Sequence, residues 1–183
     1  MTYTKWVKLY KGTKIDYDNV YGVQCVDLIK HYIKKVLDTT PQSIGNAYQY
    51  WEKRNSKYIS NLFVPVKNNK YTVPKTGDVF VRSSGYNSKG ERTGHIGVCT
   101  GNGNTEYFYA YEQNAGGTGE GMTLHRHTNW SSINFLRPKY QYITAKSGLH
   151  GYSKAKSNKH NILIPYASKV QIIEIECYRK EIN

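Results

Sequence analysis

The sequence predicts an α+β fold in which N-terminal helices pack on an antiparallel sheet of about five to six strands. Two observations predict it. Apolar residues first recur at helical spacing, and the pattern then changes to short stretches rich in Val, Ile, Phe and Tyr. Between two of those stretches, Gly101-Asn102-Gly103-Asn104 is a strong hairpin signal. Helices first and antiparallel strands after is the segregated arrangement of an α+β domain.

Residues 1–24 read as an irregular lead-in containing Gly12 and Gly22. A helix is expected from Cys25 to about Leu37, because Val26, Ile29, Ile33 and Val36 or Leu37 repeat on one face. Lys34 and Lys35 fall in its last turn, where the helix dipole favours cations. Thr39-Thr40-Pro41 ends it. A second helix is expected over 43–53, with Ile44, Ala47, Tyr48 and Trp51 on one side. Residues 54–76 read as a loop. Strands are expected at 78–82, 95–100, 106–113, 133–136 and 170–177, and 145–168 reads as a polar loop before the last of them.

The chain has 183 residues and carries 26 Lys and Arg against 13 Asp and Glu, a formal +13. That length suits one domain of ordinary size with a short appendage. No apolar run reaches the ~18–20 residues of a membrane-spanning helix. The first twenty residues lack the apolar core of a signal peptide. The positive charge points to an anionic partner. It is spread along the chain without helix-turn-helix or zinc-finger spacing, which argues against specific nucleic-acid binding. The three cysteines, Cys25, Cys99 and Cys177, are odd in number and show no metal-ligand spacing, so a disulfide framework is not expected.

One cysteine opens the first expected helix. A thiol there feels the helix dipole and free backbone N–H groups, which favour thiolate. A nucleophilic Cys needs a base, and the base needs an orienter. His95 is the best base, placed at the start of a strand between Gly94 and Gly97. The other histidines, His31, His125, His127, His150 and His160, fall in a helix or in polar loops and are expected at the surface. If the hairpin centres on Asn102-Gly103, paired residue numbers sum to roughly 205 and His95 faces Ala110. Glu112 is then a diagonal neighbour, about 7–8 Å away on the same face, and Asn114 continues that face. A carboxylate there fixes the imidazole tautomer and stabilises imidazolium.

Tyr21-Gly22-Val23-Gln24-Cys25-Val26-Asp27-Leu28, Thr76-Gly77-Asp78-Val79-Phe80, Gly94-His95-Ile96-Gly97-Val98 and Glu112-Gln113-Asn114 occur in that order. Together they resemble the CHAP family, the cysteine, histidine-dependent amidohydrolases/peptidases, over about residues 10–140. The resemblance implies a papain-like α+β fold and hydrolysis of an amide bond in bacterial peptidoglycan. It implies Cys25 as nucleophile, His95 as base, Glu112 as orienter and Asn114 as a fourth polar member. It divides the chain into a catalytic domain at 1–140 and an extension at 141–183, read as a loop plus a terminal strand added to the catalytic sheet. It also implies an endolysin, acting as a monomer on peptidoglycan and anionic wall polymers. Such a protein waits in the host cytoplasm for holin-dependent release, or is carried on the virion. The competing classes are a wall-binding module without catalysis and an acyl transferase using the same Cys–His chemistry.

Only five aspartates exist, and three of them are Asp16, Asp18 and Asp27. Asp16-x-Asp18 resembles the opening of a calcium loop, although the glutamate that closes an EF-hand is missing. In some CHAP lysins aspartates precede the catalytic Cys and another follows it by two residues. That resemblance implies a Ca2+ site at Asp16, Asp18 and Asp27, with Val20 and Gly22 supplying main-chain oxygens.

Overall fold

The computed structural model describes residues 1–128 and 132–139 in full and, beyond them, the backbone of four short strands. The chain divides into two compact units, Met1–Lys139 and Tyr140–Asn183.

The lead-in is not wholly irregular. Tyr3–Tyr10 forms helix α1, in which Thr2 caps by accepting the Lys5 amide at 3.3 Å and Trp6 is fully buried. Trp6 Nε1 donates to His31 Nδ1 at 3.0 Å. His31 is therefore buried rather than at the surface, and burial pulls its pKa down to about 4. Helix α2, Cys25–Lys35, begins at the cysteine as expected. The Gln24 amide donates to Asp27 Oδ2 at 3.1 Å and fixes that start. Helix α3 is shorter than expected, Ala47–Glu52, because the Asn46 amide donates to Gln49 Oε1 at 2.7 Å and sets the start there.

The expected loop at 54–76 holds helix α4, Lys57–Leu62, and strand β1, Phe63–Val66. Pro65 obscures that strand in the sequence, and β1 tolerates it by lying at a sheet edge. The other strands of the first unit are β2 Val79–Arg82, β3 His95–Gly103, β4 Phe108–Glu112, β5 Thr123–His127 and β6 Ile133–Pro138. They form one six-stranded sheet in the order β1-β6-β2-β3-β4-β5, and every pairing is antiparallel. One face carries Val79, Val81, Ile96 and Val98, which join Trp6, Leu28, Ile29, Tyr32 and Ile33 of the helices in the main core. The other face carries a second cluster of Phe80, Cys99, Phe108, Ala110, Ile133 and Phe135.

The β3–β4 hairpin turns later than expected, over residues 104–107. Asn104 Oδ1 accepts the amides of Glu106 and Tyr107 at 2.7 and 3.1 Å and fixes the turn there. A register shift between Cys99 and Gly103 absorbs the glycines expected at the tip. Ala110 consequently faces Cys99, four residues beyond the His95 expected opposite it.

In the second unit, β7 Tyr142–Thr144 pairs with β10 Lys169–Gln171, and β8 Leu149–Tyr152 pairs with β9 Asn161–Ile164. Strands thus occupy part of the expected loop at 145–168. Of the terminal strand expected at 170–177, Val170 and Gln171 lie in β10, and residues 172–177 lie outside the described residues. Ile172, Cys177 and His160 lie outside the described residues.

Candidate active site

Cys25 is the first residue of α2 and is half-buried. Its position carries two anchors. The Gln24 carbonyl just before it accepts from Gln113 Nε2 at 2.6 Å, and the Gln24 amide is held by Asp27. Gln113 is fully buried and bonds the lead-in as well, donating to the Ile15 carbonyl at 2.7 Å and accepting its amide at 3.3 Å. One side chain after Glu112 therefore ties strand β4 to both flanks of the loop that delivers the cysteine. The sequence signal was its place between Glu112 and Asn114; its buried role was not read from it.

His95 opens β3 and is buried, with Gly94 before it at φ +68°. A Cβ on Gly94 would sit 2.8 Å from the Tyr48 amide nitrogen and 2.6 Å from the Arg82 carbonyl, so only glycine lets α3 and β2 close around this strand end. Glu112 closes β4 and is 2% exposed. With Val98 opposite Tyr111, the same register places Gly97 opposite Glu112 and leaves His95 diagonal to it. The shift in register has moved Glu112 from one diagonal of His95 to the other and kept it on the same face. His95 Nε2 lies 3.2 Å from Glu112 Oε2, off the line of a full hydrogen bond. Contacts of this kind tighten when substrate binds.

The electrostatics follow from these contacts. Burial works against an imidazolium at His95, but the adjacent Cys25 and Glu112 side chains outweigh it and raise the pKa to about 9. Burial likewise works against a charged Glu112, and the hydrogen bond with His127 together with the neighbouring His95 imidazole holds its pKa down to about 2. Cys25, His95 and Glu112 are thus brought together, with the imidazole between a thiol and a carboxylate. That is the arrangement in which a proton leaves sulfur and stays on the ring. Cys99 is fully buried in the second core cluster, where burial pushes its thiol up.

Asn114 sits just past β4 in a left-handed conformation, φ +54°. Its Oδ1 accepts the Gly119 amide at 2.8 Å, so it shapes the loop leading to β5. His125 and His127, expected in a polar loop, are in β5 and reach Glu112: His127 Nε2 lies 3.0 Å from Oε2 and His125 Nδ1 lies 2.9 Å from Oε1. The alternation Thr123-x-His125-x-His127 was the signal that could have found them.

Asp16, Asp18 and Asp27 also converge, each offering a carboxylate oxygen within 4.8 Å of the others. Asp16 Oδ1 is buried without a hydrogen-bond partner. Lys30 of α2 reaches the same cluster, bonding Asp18 Oδ2 and lying 3.3 Å from Asp27 Oδ1. The hydrogen bond from Lys30 holds Asp18 below the usual carboxylate range, whereas burial pushes Asp27 up. Val20 and Gly22 lie on the same loop, and the Val20 amide donates to Asp18 Oδ1 at 3.1 Å.

The chain is similar to known proteins. Endolysin PlyTW of Staphylococcus phage Twort is 32% identical over 142 residues, which is 74% of this chain and 29% of PlyTW. Endolysin LysK of Staphylococcus phage K is 36% identical over 103 residues, 56% of this chain and 19% of LysK. The chain thus spans less than a third of the length of these curated relatives. The crystal structure of a wild type endolysin, LysIME-EF1, superposes with a TM-score of 0.60 over 75% of this chain and 65% of that one, at 24% identity, which supports the α+β, papain-like fold. Residues 14–114 match the family model of the CHAP domain, a span that takes in Cys25, His95 and Glu112, and on that match over more than half its length the chain belongs to the CHAP domain family.

Proposed function

We propose that this chain is a cysteine-dependent peptidoglycan hydrolase of the endolysin type, cutting an amide bond as an amidase or endopeptidase. The observation that carries the reading is the convergence of Cys25, His95 and Glu112 at the start of α2 and the adjoining ends of β3 and β4. The Cys25 thiolate attacks the amide carbonyl. His95, protonated and held by Glu112, gives its proton to the leaving amine. Water, deprotonated by His95, then hydrolyses the acyl-enzyme. As the first helical residue, Cys25 also offers a backbone N–H of the kind that stabilises an oxyanion.

The substrate we propose is bacterial peptidoglycan with its anionic polymers, which a formal charge of +13 favours. The protein acts as a monomer, reaching the wall from the host cytoplasm after holin-dependent release or from the virion. Among the described residues no helix is long and apolar enough to cross a membrane.

Calcium is the proposed cofactor. Its donors would be Asp16, Asp18 and Asp27, with main-chain oxygens of Val20 and Gly22. The donor set is all oxygen, as Ca2+ requires, and the partnerless Asp16 Oδ1 supports the fit. A bound ion would tie the lead-in loop to α2 beside the nucleophile, taking over the carboxylates that Lys30 now neutralises.

Turbidity and free-amine release from purified walls test the reading. The intact protein is expected to clear walls and release new amines, and Cys25→Ala to do neither while still binding. Binding without amine release by the intact protein would make it a wall-binding module instead.

A further inference from the structure

Strand β5 carries two imidazoles on the face that holds the candidate site. His125 stands opposite Ala110 and His127 opposite Phe108 in the β4–β5 register, so both share a face with Glu112. They approach different oxygens of its carboxylate, His127 Nε2 at 3.0 Å from Oε2 and His125 Nδ1 at 2.9 Å from Oε1. The His127 ring is itself fixed. It stacks on Phe108 at 4.8 Å and 15°, and Phe80 tilts against it at 4.6 Å. On its far side His125 Nε2 lies 3.2 Å from Glu120 Oε1, within ion-pair distance but without a hydrogen bond.

A buried carboxylate has to be supplied with hydrogen-bond donors. A carboxylate held at one oxygen can swing about its side-chain torsions; one held at both cannot. We propose that His127 and His125 are positioning residues of the catalytic unit: they hold Glu112 by both oxygens so that Oε2 faces His95. The inference rests on the reading of Cys25, His95 and Glu112 as that unit. The charged and titratable groups facing the pair are His95 from β3, Glu112 from β4, Glu120 from the loop before β5 and, beyond His95, Cys25 from α2. Arg126 lies between the two histidines on the opposite face, over the Tyr107 ring at 4.3 Å. Among the causes of the low Glu112 pKa is the hydrogen bond with His127. If the hold is lost, the carboxylate drifts from His95, the imidazolium loses its partner, and His95 gives up its proton at lower pH.

The test compares His127→Leu, His127→Gln, His125→Ala and Glu112→Gln in the full chain. Leucine fills the space between Phe80 and Phe108 without donating; glutamine restores a donor. Folding is checked by melting temperature, wall hydrolysis is resolved into kcat and KM, and His95 titration is followed by imidazole 15N shifts. His127→Leu is expected to lower kcat by up to about 100-fold, the scale on which a small misplacement of catalytic groups acts, with KM little changed. His95 should titrate at lower pH in that variant and move back toward the parent value in His127→Gln. His125→Ala should show a smaller effect of the same sign, and decides the matter with His127→Gln if His127→Leu fails to fold. A folded His127→Leu protein with unchanged kcat and His95 titration would overturn the proposal, as would His127→Gln no better than His127→Leu. Unchanged kcat in Glu112→Gln would instead overturn the catalytic reading beneath it.

Discussion

Gly97 and Glu112 face each other across β3 and β4 so closely that a Cβ on Gly97 would lie 2.9 Å from the Glu112 Cβ and 2.6 Å from the Phe80 ring. The missing side chain is what lets a carboxylate enter beside His95. Gly97→Ala is therefore expected to push Glu112 aside and lose most wall hydrolysis. Overpacking should also cost about 1–3 kcal/mol of stability. Denaturant melts and initial rates measure both. A variant with parent activity would mean that Glu112 does not need this place.

The charge pair gives stability a signature at both ends of the pH scale. His95 is raised from 6.5 to about 9, so its contribution is full below pH 6.5 and is lost as pH rises through about 9. Glu112 is lowered from 4.5 to about 2, so its contribution is full above pH 4.5 and is lost as pH falls through about 2. Glu112→Gln should flatten the acid loss and bring the alkaline loss to lower pH. Melting temperatures between pH 2 and pH 10 would show it, and identical profiles for both proteins would refute the pairing.

Gln113 links strand β4 to the loop before the nucleophile through three hydrogen bonds, two of them buried. Gln113→Leu should leave the Ile15 and Gln24 carbonyls unpaired, at about 1–3 kcal/mol for each buried group. Wall hydrolysis should fall further than wall binding, because a displaced Cys25 loses rate rather than affinity. Equal losses in both would point to general unfolding.

Chelation is expected to lower both melting temperature and wall hydrolysis, and calcium to restore them better than magnesium, which holds its waters and requires a tighter octahedron. Asp18→Ala should mimic chelation. Titration calorimetry on metal-free protein checks binding directly. Absence of heat, with full activity in chelator, would leave Lys30 as the only cation that cluster uses.

Much of the site was legible because its chemistry sits on short local patterns: a cysteine at a helix start, a histidine between glycines at a strand start, and a carboxylate on the partner strand. Long-range register was not legible. The glycines at 101 and 103 suggested the hairpin tip, but the Asn104 side chain moved it, and Glu112 reached His95 from the other diagonal. Helix α1 went unread although Tyr3, Trp6, Val7 and Tyr10 have helical spacing, because eight residues give the period little room. His125 and His127 were taken for polar surface because β5 holds a single apolar residue, Leu124. Its inward face binds a carboxylate, which hydrophobic patterning does not reveal.

In the proposed mechanism Cys25 performs the covalent step. Mass spectrometry of wall digests from the parent protein, Cys25→Ala and Cys99→Ser tests it most directly. The parent and Cys99→Ser should release the same fragments with a new amine at one type of amide bond, and Cys25→Ala should release none while still sedimenting with walls. The same fragments from folded Cys25→Ala at a rate near the parent's would show that the nucleophile is another residue.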